Sequence, residues 1–417
     1  MSGKVLVLGD FRQTVTVVRS LARAGYQVTL GCDDPRSSTA LSRYVSDLWI
    51  YDGSSSERFY DQLEAYLRIE QPDFVFTVGE SLLRRLIRAA PRFEPLSTWV
   101  NPEPATIARC FDKSALYELA PLLGIPTMPW RRFTGAEDWR NSAREMGFPV
   151  VVKRKDSAAR VHDRKALILG TPAQFDSFLA TLSNEPDPSQ LVLQKYFAGV
   201  RHNCHVACAD GKLIGYFQQK VLSTDELDDT GIGTAGMSVA PMPELRAYCE
   251  WLTQALAYTG IGCIQFLVDE ASGSAAFLEF NARMDSTAAL PYRLGYDYPL
   301  LAVELARYRR SHLPLPAGFA PPYALGKTYH WLYGDFGAWL TALRRRRVGA
   351  AALAAWALKM AWMSVRSHHL TFDWRDPLPT LDMYWKQFAR PALRRLRGAR
   401  TKTATGRVSL AVRPSQS

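Results

Sequence analysis

Cysteine is sparse in this sequence. Six residues (Cys32, Cys110, Cys204, Cys208, Cys249 and Cys263) are spread over 417 positions without the regular spacing of a disulfide framework. That excludes a stapled secreted scaffold and points to free thiols in a reducing compartment. Glycine is equally thin where a dinucleotide loop needs it: KVLVLGDF offers only Gly9 where the fingerprint requires three, so Gly9 reads as a structural turn. The same opening run is too short for a signal peptide. No internal repeat is evident. Long apolar stretches are also scarce, and the best, 348–365, spans about 18 residues with Lys359 inside it, which is marginal for a membrane-spanning helix. A cytoplasmic protein is expected, with peripheral contact at the inner membrane face as an addition.

What is present is unevenly placed. The net charge is +11, yet residues 318–417 hold 17 Lys and Arg against 4 Asp, while the first 317 residues hold 34 basic and 36 acidic side chains. An evenly basic nucleic-acid surface is therefore not indicated, whereas the basic tail alone could meet an anionic surface. For RPALRRLRGAR a solvated helix face is slightly favoured. A hydrophobic content of 47% suffices for two or three cores.

Residues 1–110 alternate apolar strand-like runs (KVLVLG, YQVTLGC, PDFVFTVG) with amphipathic segments, which predicts βαβ units on a doubly wound parallel sheet. Residues 111–310 mix both patterns: a short helix after Asp112 stopped by Gly124, strands at FPVVVKRK and LVLQKYF, a hairpin around ADGK, and a second hairpin turning at EASGSA. Residues 311–417 read as a basic helical extension.

Polar residues interrupt those apolar strands at particular places. In FLEFNARM, Glu279, Asn281 and Arg283 alternate with Leu278, Phe280 and Ala282, so the three polar groups share one face. Burying them together is expensive unless they are paired or bind a ligand. Lys153 and Lys155 share a face of their strand, and Gln265 lies in the strand expected to pair with the one bearing Glu279. Cationic positions beside a cluster of side-chain oxygens suit a nucleoside triphosphate with Mg²⁺.

In their order and spacing these segments resemble the ATP-grasp superfamily, in its carbamoyl-phosphate synthase and biotin carboxylase branch. The resemblance covers roughly residues 1–305. It implies an α/β protein with an N-terminal pre-ATP-grasp domain and a two-lobed ATP-grasp domain. By DKSALYELAPLLGIPTMP and GFPVVVK, Lys113 and Lys153, with Lys155 beside it, would contact phosphates. By LVLQKYFAGVRH, the hinge at Gln194, Lys195 and Tyr196 would meet adenine and His202 the ribose. By the hairpin CIQFLVD…FLEFNARM, Gln265, Glu279 and Asn281 would hold Mg²⁺, with Mn²⁺ as a substitute, and Arg283 would stabilise the transferred phosphoryl group. The implied reaction activates a small-molecule carboxylate as an acyl phosphate for attack by an amine. Homo-oligomerisation is left open. The TVGES segment, with Gly79 and Glu80, is a candidate wall of the acceptor pocket.

The sequence departs from that pattern twice. RKDSAARVHDRKA has no glycine where the superfamily closes a glycine-rich loop over the phosphates, and TGIGTAGMSVAP has Gly233 where carbamoyl-phosphate synthase has a histidine. Competing readings are a nucleotide-binding accessory module without turnover and a biotin-dependent carboxylase component. The second is weakened at Lys359, which imitates a biotin attachment site but whose Ala-rich helical surroundings lack the tight turn of one. A zinc site in HNCHVAC fails because His205 should point away from His202, Cys204 and Cys208.

Overall fold

The computed structural model describes residues 3–156, 160–311, 314–315, 321–346 and 348–389. Three sheets organise them. The first consists of Lys4–Leu8 (β1), Gln27–Cys32 (β2), Asp47–Ile50 (β3), Phe74–Thr77 (β4) and Thr98–Trp99 (β5), all parallel, in the order β3-β2-β1-β4-β5. Helices cover both faces, so Val5 to Leu8 can be apolar on both sides and lie at most 1% exposed. The winding reverses between the neighbours β1 and β4. The loops that leave them, around Arg12 and Glu80, therefore flank a crevice at the strands' C-terminal ends.

The smallest sheet is antiparallel, with Trp130–Arg132 (β6), Val150–Arg154 (β7), Ala166–Leu169 (β8) and Leu191–Lys195 (β9) in the order β6-β9-β7-β8. Val150, Val152, Leu191 and Leu193 bury one face against Trp139 and Phe175 from two covering helices. Alternation turns Lys153 and Gln194 to the opposite face.

The largest sheet contains Val200–Ala209 (β10), Lys212–Thr224 (β11), Gly233–Ser238 (β12), Gly260–Val268 (β13), Ala275–Asn281 (β14), Thr328–His330 (β15) and His368–His369 (β16). Their order is β14-β13-β10-β11-β12-β15-β16. The ADGK signal becomes a two-residue hairpin loop in which Asp210 (φ 48°) and Gly211 (φ 80°) are both left-handed. One face packs Cys204, Val206 and Cys208 on the helix Pro243–Ala255. Ala207 and Phe217 on the other face meet the helix Tyr298–Ser311.

The segment expected as a helical extension is only partly that. It forms helices at Leu332–Arg344, Ala350–Arg366 and Leu378–Tyr384, but β15 and β16 extend the largest sheet beyond β12. The exposed edge of β12 supplies the unpaired backbone groups that β15 satisfies. Lys359 sits inside a regular helix, not on a turn. Residues Ser157 to Ala159 of the glycine-poor loop and the arginine-rich 390–400 lie outside the described residues.

Candidate active site

The strand pairing of the largest sheet builds a polar row. Glu279 lies opposite Gln265, Gln265 opposite Asn203, and Asn203 opposite Gln219, so four adjacent strands present polar side chains on one face. The next row runs from Asn281 through Cys263 to His205. Along the FLEFNARM strand the alternation gives direct bonds. Asn281 Nδ2 donates to Glu279 Oε1 at 3.0 Å, and Arg283 Nη2 donates to Asn281 Oδ1 at 3.2 Å.

This chain of bonds continues into the parallel domain. Arg283 Nη2 also reaches Glu80 Oε2 at 3.2 Å, with the guanidinium 15% and the carboxylate 7% exposed. Glu80 opens the helix that follows β4 and is held by Arg84 at 3.0 Å, which in turn meets Asp156 at 3.2 Å. A mostly buried Arg283 is thus held by a strand residue, Asn281, and by a helix residue of the parallel unit, Glu80, which sets its direction.

Above the row, cations come from the small sheet, from the loop before β8 and from a neighbouring helix. Lys113, first in the helix Lys113–Leu122 after the capping Asp112, lies with Nζ 3.4 Å from Glu279 Oε2. Lys153 Nζ donates to Tyr117 Oη at 2.8 Å, and Tyr117 Oη donates to the Leu278 carbonyl at 2.7 Å, so the tyrosine bridges the two sheets. Burial, reinforced by Lys113 and opposed by Glu279, brings the Lys153 ammonium down to about 7. Burial also lowers Lys165, which feels Glu279 and Lys113. Several ammonium groups therefore converge on one carboxylate, an excess of positive charge that fits an anion such as a polyphosphate. Gln194 Nε2 is buried close to the Tyr117 hydroxyl without a well-formed hydrogen bond, a donor that a ligand in the same cleft could engage.

Not every expected residue joins this cluster. Lys195 Nζ is spent on the Gly147 carbonyl at 2.9 Å, and the backbone amides of Lys195 and Tyr196 donate to the carbonyls of Pro129 and Pro149. Lys155 follows the end of β7, its amide bound to the Gln190 carbonyl. His202 faces the other side of the large sheet: Nδ1 contacts Gln218 Nε2 at 2.9 Å, and Gln218 Oε1 accepts the Met242 amide at the start of the helix Pro243–Ala255. Even-numbered positions of β10 point that way, so Arg201, Asn203 and His205 are the residues on the polar face.

No family model matches the chain. A chloroplastic biotin carboxylase of Populus trichocarpa is 29% identical over 198 residues, 45% of this chain and 36% of that protein. The large chain of carbamoyl phosphate synthase from Thermus thermophilus is 25% identical over 365 residues, 76% of this chain and 33% of that protein. The chain therefore spans about a third of the length of these curated relatives. Among solved structures, the biotin carboxylase domain dimer of the Hydrogenobacter thermophilus 2-oxoglutarate carboxylase, in complex with MgADP, ADP and bicarbonate, superposes with a TM-score of 0.63 at 16% identity, covering 78% of this chain and 73% of that one. An ADP complex of the Staphylococcus aureus N5-carboxyaminoimidazole synthetase gives 0.59 at 13% identity, covering 78% and 80%. The chain thus shares the fold of these biotin carboxylase and synthetase structures, the fold that the ATP-grasp resemblance implies.

In this fold several residues stand out that the motifs did not supply, and Glu80, expected only as a pocket wall, gains a definite partner. Tyr117 and Lys165 complete the lysine cluster, and Glu80 orients Arg283. Arg12, at the end of the β1 loop, donates to Ser286 Oγ at 2.7 Å and lies 4.1 Å above the Trp331 ring. It has no carboxylate within ion-pair distance among the described residues, and burial lowers its pKa to about 10. On the same side Asp285 and Thr287 bind each other, and Thr287 Oγ1 accepts from Asn203 Nδ2 at 3.3 Å. Apart from the local Asp285–Thr287 pair, a reading of single strands could not foresee these contacts, because each joins segments far apart in sequence.

Proposed function

We propose that this protein is an ATP-grasp ligase, dependent on ATP and Mg²⁺, that phosphorylates a small-molecule carboxylate and passes the acyl group to an amine. The observation that carries the reading is the continuous chain Lys113, Glu279, Asn281, Arg283, Glu80, which joins the cation-rich cleft to the crevice of the parallel sheet. ATP would lie between the small and large sheets, with Lys113 and Lys153 on its phosphates. Glu279 and Asn281, with Gln265 opposite, would hold Mg²⁺, which neutralises phosphate charge and orients the transferred group. In that state Lys113 would exchange its carboxylate partner for phosphate.

Arg283 would face the charge that develops as a carboxylate oxygen of the acceptor attacks the γ-phosphorus and ADP departs. The acceptor would enter through the crevice between Arg283 and Arg12, whose guanidinium, without an ion pair among the described residues, suits an anionic group. The mixed anhydride so formed is then open to an amine, with phosphate leaving. Similarity to biotin carboxylase and carbamoyl phosphate synthase supports the carboxylate-activating half of this scheme.

The test is Mg²⁺-dependent ADP release by the purified chain with pooled carboxylates and pooled amines. Release that requires both pools and falls at least about a hundredfold in Glu279→Ala is expected. Arg12→Gln should raise the acceptor KM while leaving the ATP KM unchanged. ATP binding without release from any pool would favour a nucleotide-binding module, and absence of ATP binding would sink the assignment.

A further inference from the structure

The helix Ala350–Arg366 turns an unusually apolar face to solvent. Its inner side is fixed: Leu353, Met360 and Met363 are buried, and Trp356 Nε1 donates to Asp335 Oδ1 at 2.8 Å. On the outer side, among alanines, are Leu358 (73% exposed), Trp362 (57%) and Val365 (84%). Their spacing of four and three residues places them on one stripe. A helix apolar nearly all round is covered when the protein works.

Length and charge identify the cover. Seventeen residues make a rod of about 25 Å, shorter than the roughly 30 Å hydrocarbon core of a bilayer. Among the described residues no helix is long and apolar enough to cross a membrane. Between Asp335 and Asp373 the sequence has no acidic residue but six basic ones, Arg344 to Arg347, Lys359 and Arg366. Arg344, Arg345 and Arg346 are exposed where the chain approaches the helix, beside the exposed Leu343. A second copy placed on this face by a two-fold axis would bring the three arginines against one another, and the acid from another element that feels this helix, Asp229, already faces Lys359 of its own chain. An anionic lipid surface answers both features: headgroup phosphates meet the arginines, Lys359 extends its amine from the apolar stripe to the headgroups, and the stripe enters the acyl boundary.

We propose that the helix Ala350–Arg366 lies flat on an anionic phospholipid surface, with Leu358, Trp362 and Val365 inserted and the flanking arginines on the headgroups. The experiment is co-sedimentation of the full chain with phosphatidylglycerol–phosphatidylcholine vesicles and with pure phosphatidylcholine vesicles. Binding to the first only is expected, weakening as salt rises. Both the double variant Leu358→Ser/Trp362→Ser and the triple variant Arg344→Gln/Arg345→Gln/Arg346→Gln should bind at least about tenfold more weakly. All five side chains are exposed, so an unchanged melting temperature and unchanged nucleotide binding check that the fold is retained. Failure of the natural chain to bind vesicles overturns the proposal. So does equal binding by both variants, which would move the contact to residues 390–417. Concentration-dependent dimerisation lost in Trp362→Ser, without lipid binding, would assign the face to a second copy and overturn it as well.

Discussion

Lys153 is the residue whose environment makes the sharpest demand. Its ammonium is brought to about 7 by burial and by Lys113, so the free protein sheds this proton as the pH rises through neutrality. A polyphosphate beside it favours the charged form and raises the pKa in the complex. The complex then holds a proton that the free protein has lost, and nucleotide affinity falls above pH 7 by up to about tenfold per unit. Calorimetry of a non-hydrolysable ATP analogue with Mg²⁺, in two buffers of different ionisation enthalpy, should show proton uptake that Lys153→Met removes; a flat pH profile would contradict the cluster. At this scale part of the site was legible in the sequence. Period-two alternation placed Glu279, Asn281 and Arg283 together, and the bonds among them follow it. The motif placed His202 with the ribose, whereas its even position on β10 turns it toward the Pro243–Ala255 helix. Arg12 was hidden for another reason, as was the pairing of Glu80, expected only as a pocket wall, with Arg283: both depend on partners some 200 or more positions away.

Among the elements, hairpins and βαβ units were readable because turn chemistry and apolar period are local. Asp210-Gly211 needed no tertiary information. The partnership of β12 with β15 did, since three residues in a stretch otherwise helical carry little periodicity of their own. Glycine explains how the two strands approach. A Cβ at Gly236 would stand 2.4 Å from Tyr329 Cε1 and 2.7 Å from the backbone oxygen of Lys220, which cannot yield easily. Gly236→Ala should therefore cost about 1–3 kcal/mol of stability. Thermal melting checks this, and hydrogen exchange should show the lost protection concentrated in β12, β15 and β16.

At the level of the molecule, the C-terminal segment closes onto the beginning of the chain. Arg19, 3% exposed, binds Asp376, 2% exposed, at 2.8 Å, and the same carboxylate oxygen accepts from Ser42 Oγ at 2.7 Å. Arg19→Ala leaves a buried aspartate without its cation and should destabilise the protein by about 3–5 kcal/mol. Limited proteolysis should then cut between 321 and 389 before it reaches the parallel sheet; cleavage there no faster than in the natural chain would show that this tie holds little. The sequence could not announce such a tie, because a lone Arg in one helix and an Asp in a distant turn each read as surface charge. The six scattered cysteines, finally, all end up buried and unpaired. Cys32 reports on the parallel sheet, while Cys204, Cys208 and Cys263 report on the large one, so the rate at which a thiol reagent labels each of them would clock how often that part of the molecule breathes open, without a single added probe.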